Sequence, residues 1–282
     1  MKWTLGIALC VVLASCVCQA DTVVIGSLNL EDFGYGGGDC KDDAEMRTLA
    51  EAISTTDIVT LQEVMRLSGG GKTCYGCTAA TCHVDALIRE VEIVSGSNWD
   101  YICGPNHKYG SRYEFYVIAY NTETVQFLSH SGDLDQYGVS FSVRPPLFGY
   151  FRSGNFDFYL LNYHAPSDGS SVSTSGELEK LGRAFDAMQA ATPSENDIIV
   201  AGDVNLFVST LSASRSASTM IRVPDGTTTK GGSSLDAIYF DGTYTSCEYD
   251  ATAGVLPQTF QSGASDHGLV WAGFRTDQAD DD

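Results

Sequence analysis

The sequence predicts an α+β fold in which two β-sheets pack together and helices cover the outside. Three observations carry that expectation. Short segments rich in Val, Ile, Phe and Tyr recur along nearly the whole chain and end in Gly, Asp, Asn or Ser. Segments with helical spacing are few. Residues 156–163 and 197–202 have near-continuous apolar centres, as strands do when both of their faces are covered. Many strands with few helices fit two stacked sheets carrying helices on their outer faces.

The elements follow in order. Residues 1–20 are expected to be a secretory signal: Lys2 supplies a positive charge, 3–17 are apolar, and Cys18-Gln19-Ala20 offers small residues where a signal peptidase inspects the chain. The alternative, a membrane anchor, normally needs about 20 apolar residues. Asp21 is then the mature start, and 21–276 form one domain without a linker-like break. Strands are expected at 22–30, 57–64, 113–120, 156–164, 197–205, 235–240 and 268–274. Helices are expected at 42–53, where Asp42 and Glu45 have capping-box spacing, at 84–94 and at 177–191. In the last, Leu178, Leu181, Phe185 and Met188 recur at helical spacing and read as core. The glycine runs 34–38 and 69–71 lack the Lys of a phosphate-cradling loop. The end of the chain from Thr276 carries four Asp, and 277–282 are expected to be a frayed acidic tail.

Composition sets further bounds. Of 282 residues, 43% are hydrophobic, which excludes disorder for most of the chain. The 29 glycines show no three-residue period, which excludes collagen. The formal charge is −20, and losing Lys2 with the signal leaves 15 basic against 36 acidic residues, −21. Taken alone, that acidity argues against a nucleic-acid partner. Removal of the signal also leaves six cysteines, Cys40, Cys74, Cys77, Cys82, Cys103 and Cys247. An exported chain would pair them as disulfides, in an undetermined connectivity. The cluster Cys74, Cys77, Cys82 and His83 offers zinc binding as the alternative. There is no Asn-x-Ser/Thr sequon.

The chemistry lies where strands end. Asn29, Glu63, His164, Asp203 with Asn205, Asp236, and Asp266-His267 all fall on strand boundaries. A period of two places Asp203 and Asn205 on one face. Gathered at one end of packed sheets, these residues would supply oxygen ligands and two imidazoles, a set that selects Mg²⁺, Mn²⁺ or Ca²⁺ over zinc. Each residue alone reads as a turn former or a structural histidine; their order along the chain is what carries weight.

That order resembles a family. Ser27-Leu28-Asn29, Leu61-Gln62-Glu63, Gly202-Asp203-Val204-Asn205, Leu235-Asp236 and Ser265-Asp266-His267 are similar to the successive signatures of the endonuclease/exonuclease/phosphatase superfamily, over about 23–274. Three further stretches, Gly110-Ser111-Arg112-Tyr113-Glu114-Phe115-Tyr116, Ser142-Val143-Arg144-Pro145-Pro146 and His164-Ala165-Pro166-Ser167-Asp168, resemble the secreted deoxyribonuclease I branch. The resemblance implies a four-layer α/β/β/α sandwich of two mostly antiparallel sheets. It also implies a secreted, divalent-metal-dependent endonuclease that cuts DNA with little sequence preference, using Mg²⁺ or Mn²⁺ and, structurally, Ca²⁺, for which Asp133 and Asp135 are the candidates.

By the same resemblance Glu114, His164, Asp203, Asn205, Asp236 and His267 are catalytic, with Glu114 orienting His164 and Asp236 orienting His267. Asn29, Glu63 and Asp266 hold metal, and Arg144 and Arg112 contact the substrate phosphate, with Arg66 a further backbone contact. His83, His107 and His130 read as surface or core residues, and Lys108 and Tyr109 lie in the loop before Glu114. Some positions depart from the pattern. Glu31 stands where that branch carries a DNA-contacting Arg, Met65 replaces another Arg, and the cysteines of the branch's main disulfide are missing. The substrate is therefore expected to bind weakly and transiently, to a monomer without stable membrane association. Alternatives on this scaffold are a lipid phosphodiesterase or phosphoinositide phosphatase, or a secreted binding protein without activity.

Overall fold

The structure is a computed structural model that describes residues 22–34, 40–65, 82–109, 112–167, 172–208, 211 and 219–278. Along these residues run β1 (Thr22–Phe33), α1 (Asp43–Ile53), β2 (Ile58–Met65), α2 (Cys82–Ser95), β3 (Trp99–Cys103), β4 (His107–Tyr109) and β5 (Arg112–Asn121). Then come β6 (Gln126–Asp133), β7 (Leu147–Ser153), β8 (Phe156–His164), α3 (Thr174–Ala191), β9 (Ile198–Asp203) and β10 (Met220–Val223). The last are β11 (Asp236–Asp241), β12 (Tyr249–Leu256), α4 (Gln258–Ser262) and β13 (Leu269–Arg275).

One sheet has the order β12-β13-β1-β2-β5-β3, with β4 also on β5; the other has the order β10-β11-β9-β8-β7-β6. Each contains a single parallel pair, β1 with β2 and β8 with β9, and is otherwise antiparallel. The predicted α/β/β/α sandwich is the observed fold.

Strand alternation sorts the apolar residues into three layers. Ile25, Ile58, Ile118, Phe158, Leu160, Ile199, Ile238 and Val270 share the core between the sheets. Leu28, Val59, Leu61 and Val117 face outward and share a core with Leu49 and Ile53 of α1 and Leu87 and Val91 of α2. On the far side, Leu161, Tyr163, Ile198 and Val200 meet Leu178, Leu181, Phe185 and Met188 of α3. Asp42 caps α1 as expected: its carboxylate accepts from Ala44 N and Glu45 N while Glu45 reaches back to Asp42 N at 2.7 Å.

Several boundaries differ from expectation. β1 runs on to Phe33, through a register shift after Asn29, so Asn29 lies within a strand instead of ending one. α3 begins at Thr174, earlier than predicted, because Ser173 caps it through Gly176 N. β6 and β12 were not among the expected strands: both carry register shifts that break the alternation, and β12 is half-exposed at a sheet edge, so neither forms an apolar run. Thr276 is buried and its carbonyl accepts from Asn155 N at 2.9 Å, so the chain is anchored one residue past β13's end instead of fraying there.

The expectation that all six cysteines pair is overturned. Cys103 and Cys247 are free, one half-buried in β3 and one exposed in the turn before β12, whereas Cys40 is disulfide-bonded. Cys74, Cys77, Arg66 and the signal segment lie outside the described residues, as does the side chain of Cys82. Among the described residues, no helix is long and apolar enough to cross a membrane.

Candidate active site

The inward-facing positions change character along each strand. Toward one end of the sandwich, β8 reads Phe158, Leu160, Asn162, His164; β9 reads Ile199, Ala201, Asp203; and β11, running the other way, reads Phe240, Ile238, Asp236. The opposite sheet matches this with Tyr120, Ile118, Tyr116, Glu114 on β5 and Ile25, Ser27, Asn29 on β1. The first polar layer, Ser27, Thr60, Gln62 and Asn162, is wholly buried. Gln62 Nε2 donates to Asn162 Oδ1 at 2.8 Å, Asn162 Nδ2 donates to the Leu61 and Val117 carbonyls, and Thr60 Oγ1 donates to Ala201 O. These bonds join the two sheets and satisfy the buried groups, which a half-made network would not do. The layer above them opens into a cavity of about 410 Å³ lined by Asp32, Glu63, Glu114, Arg144, His164, Asp203, Asn205, Asp266 and His267.

Two carboxylate–imidazole pairs face each other across this cavity. Glu114 Oε1 meets His164 Nδ1 at 2.9 Å, and Asp236 Oδ2 meets His267 Nδ1 at 2.8 Å. Each ring thereby presents Nε2 inward, and both Nε2 atoms stand 3.7 Å from the same atom, Asp203 Oδ2. Asn29 Nδ2 donates to that oxygen at 3.0 Å and to Glu63 Oε1 at 3.1 Å. Asp203 is thus the centre on which two imidazoles and an amide converge. Register explains the placement: His164 pairs with Asp203 across β8–β9, and Asp236 pairs with Asp203 across β11–β9.

Electrostatics follow from burial. Burial alone would raise Glu114, but His164 and Arg144 outweigh it and hold the carboxyl at about 2. Burial and then Asp236 push Asp203 above the ordinary carboxylate range, against the pull of the two imidazoles and Asn29. Burial pulls His267 down, yet Asp236, with Asp203 and Asp266, raises it to about 10. Burial and Arg144 lower His164, and Glu114 with Asp203 reverses this to a net rise.

Local backbone geometry makes the convergence possible. A Cβ on Gly202 would fall 1.8 Å from Tyr163 O, so only glycine lets β9 approach β8 closely enough to set Asp203 beside His164. Glu31, Asp32, Glu63 and Asn205, four of the five non-glycine residues with positive φ among the described residues, cluster here with φ of 51–55°. Such conformations cost about 1–3 kcal/mol each and persist where surroundings impose them. Glu63 sits in the register shift of β2 against β5, and its N–H is held by Glu114 Oε1 at 3.0 Å. Its Oε2 accepts from Asp32 N at 2.9 Å, which brings Asp32 to the cavity wall. Asn205 shares the cavity with Asp203 as predicted, though by a left-handed turn beyond β9, bonded to Asp203 Oδ1 and Ala165 O, instead of by strand alternation.

The predicted residues gather in this one place, with qualifications. Arg144 lines the cavity but is buried, and its Nη1 is engaged by Glu114 Oε2. Asp266 is half-exposed, with Oδ1 3.6 Å from His267 Nε2. Arg112 lies on β5 two residues from Glu114, its side chain outside the described residues. Asp133 stands apart beside His107, 3.8 Å away, where burial and then Asp135 raise it to about 6. His83 is core: it is fully buried against Phe33, and burial lowers it to about 4.

Sequence reasoning missed three contributors. Asp32 reaches the cavity only because of the left-handed backbone. Tyr116 OH bonds the His164 N–H and carbonyl, and its place in the Glu114 segment was the available signal. Ser265 Oγ donates to Asn29 O at 2.7 Å and accepts from His267 N, tying the last loop to β1.

The residues fit a hard divalent cation. Five carboxylates, Asp32, Glu63, Glu114, Asp203 and Asp266, line the cavity against one guanidinium, and Asp203, Asp236 and His267 place ligand atoms within 4.8 Å of one another. Oxygen-rich sets of this kind suit Mg²⁺ or Mn²⁺.

The fold recurs in solved structures. TDP2 from D. rerio, crystallised with a single-strand DNA product, matches with a TM-score of 0.56 at 18% identity over 90% of this chain and 99% of that one. An endonuclease/exonuclease/phosphatase family protein from Leptotrichia buccalis gives 0.60 at 14% identity over 89% and 98%. The human Nocturnin catalytic domain with bound sulfate gives 0.56 at 12% over 90% and 94%. No curated protein sequence is detectably similar to the chain. The sequence profile of the Endonuclease/Exonuclease/phosphatase family matches residues 26–267, spanning every site residue named above. The chain belongs to the endonuclease/exonuclease/phosphatase family.

Proposed function

We propose that the chain is a secreted, divalent-metal-dependent endonuclease that hydrolyses DNA phosphodiester bonds with little sequence preference, in the manner of deoxyribonuclease I. The observation that carries this reading is the convergence of His164 Nε2 and His267 Nε2 on Asp203 Oδ2. Phosphodiester hydrolysis needs a proton taken from the attacking water and one given to the leaving oxygen, and two opposed imidazoles supply both. Glu114 and Asp236 fix the tautomer and aim of each ring. Asp203 and Asn205 position the water. Glu63, Asn29 and Asp266 would hold Mg²⁺ or Mn²⁺, whose role when bound is to neutralise charge on the phosphoryl oxygens. Arg144 adds one positive charge to the cavity wall.

A DNA substrate is supported by the motif set and by the TDP2 structure, a relative in fold that was crystallised with single-strand DNA product. The net charge of −20 does not oppose it, because part of that charge belongs to the cation site itself. The acidity instead limits the mode of binding: weak, brief and dependent on divalent ions.

The test is incubation of the protein with supercoiled plasmid in Mg²⁺ or Mn²⁺, with and without Ca²⁺, beside an EDTA control and parallel assays on sphingomyelin and a phosphoinositide. Metal-dependent nicking supports the reading. Intact plasmid with hydrolysed lipid would move the substrate class to lipid phosphodiesters. Inactivity on all of them with metal bound would favour a binding protein.

A further inference from the structure

Phe207 follows Asn205 by two residues, just past the Gly202–Asn205 signature. Its neighbours Leu206 and Val208 pack toward the α3 core, whereas Phe207 is 60% exposed. The exposure is not slack in the chain. The Arg222 guanidinium lies 4.4 Å from the Phe207 ring centroid, within cation–π range. Arg222 is itself pinned by three bonds, Nε to Tyr239 OH at 3.3 Å, Nη1 to Pro224 O at 2.9 Å and Nη2 to Ser234 Oγ at 2.9 Å. Ser234 precedes Leu235, which lines the catalytic cavity, as does Asn205. The ring is therefore backed by a fixed cation on one face and open to solvent on the other, at the rim of the site.

We propose that Phe207, backed by Arg222, is a stacking platform for a nucleobase next to the scissile phosphate. This rests on the reading of the site as a DNA hydrolase and names how that site holds its substrate. With 36 acidic against 16 basic residues, the chain has little cationic charge with which to grip the polyanionic backbone. Stacking is insensitive to net charge, and every base offers a π-face, so it fits a substrate read with little sequence preference. The nearby positive charge of Arg222 adds to the attraction of the ring for a base.

The test uses short single-stranded oligonucleotides in which one phosphodiester is cleavable and the others are methylphosphonates, with the flanking nucleotides either base-bearing or abasic. For Phe207→Ala, KM on the base-bearing substrate should rise about ten-fold, the scale of one lost base stack. Its kcat should hold, and the abasic substrate should show no change. Phe207→Trp should keep the wild-type KM, while Phe207→Leu, which keeps apolar bulk without a π-face, should behave like Ala and carries the comparison if the Ala variant fails to fold. An unchanged KM in both Ala and Leu variants, or an equal rise on the two substrates, overturns the platform alone. A wild-type protein that nicks plasmid but cleaves neither oligonucleotide also overturns the platform alone, whereas one that cleaves neither oligonucleotide nor plasmid overturns the DNA reading itself.

Discussion

Glu114→Gln isolates the group on which most of the site depends. This carboxylate orients His164, holds the strained backbone N–H of Glu63, and neutralises Arg144, which is only 4% exposed. Removing its charge breaks the buried Glu114–Arg144 pair, a loss that costs about 3–5 kcal/mol in comparable buried pairs. Titration offers a second route to the magnitude. Glu114 is held at about 2 against an ordinary 4.5, which corresponds to about 3 kcal/mol of stability. Because the folded-state pKa is depressed, that stability is present above pH 4.5 and is lost as pH falls through about 2. At pH 3 only about 1 kcal/mol of it remains. Urea denaturation followed by tryptophan fluorescence should therefore show Glu114→Gln less stable than wild type by about 3–5 kcal/mol at pH 7, with a much smaller gap at pH 3. Adding Arg144→Met should restore most of the stability, since both charges are then gone, but not the activity, since His164 stays unaligned. A pH 7 difference under about 1 kcal/mol, or one that persists at pH 3, would refute the assignment of Glu114 as the buried hub.

Three further outcomes follow from other residues. Gly202→Ala should cost about 1–3 kcal/mol through overpacking against Tyr163 and depress kcat more than KM, because Asp203 must shift; circular dichroism melts and steady-state rates on the same preparation check this. His83, neutral and buried with its pKa near 4, destabilises the fold as pH falls from 6.5 toward 4, by about 2 kcal/mol at pH 5. His83→Leu should remove that acid sensitivity in denaturation curves at pH 7 and 5, and an unchanged pH dependence would count against it. Filter binding of DNA should be weak and should vanish in EDTA; tight retention in EDTA contradicts a cation-dependent mode of binding.

How much of this was legible in the sequence depended on whether the information was local. β8 and β9 are covered on both faces, so Phe158, Leu160 and Ile199 made an unmistakable run, and the polar residues closing it, His164 and Asp203, stood out. β12 was illegible because it is a half-exposed edge with Asp250, Thr252 and Gly254 in its middle. The site followed the same rule. His164, Asp203, Asp236 and Asp266 were visible at strand boundaries and Asn29 and Glu63 close to them, but nothing local marks the left-handed turns at Glu31, Asp32 and Glu63, so Asp32 went unseen, and Asn205 was assigned to its face by strand alternation instead of by its left-handed turn. Pairing across the sandwich, as between Asn29 and Asp203 or Gln62 and Asn162, joins residues 100 or more positions apart, and only the fold reveals it.

The central claim is that His164 and His267, opposed across Asp203, drive cation-dependent phosphodiester hydrolysis. Its most direct measurement is the steady-state hydrolysis of a soluble aryl phosphodiester, a substrate that sets aside the choice between DNA and lipid. Wild type and His164→Ala should be compared in Mg²⁺, in Mn²⁺ and in EDTA. Wild-type turnover should require the cation and stop in EDTA, and the variant should lose about 10²–10⁴ in kcat. Turnover that survives EDTA, or a variant as fast as wild type, would contradict the account.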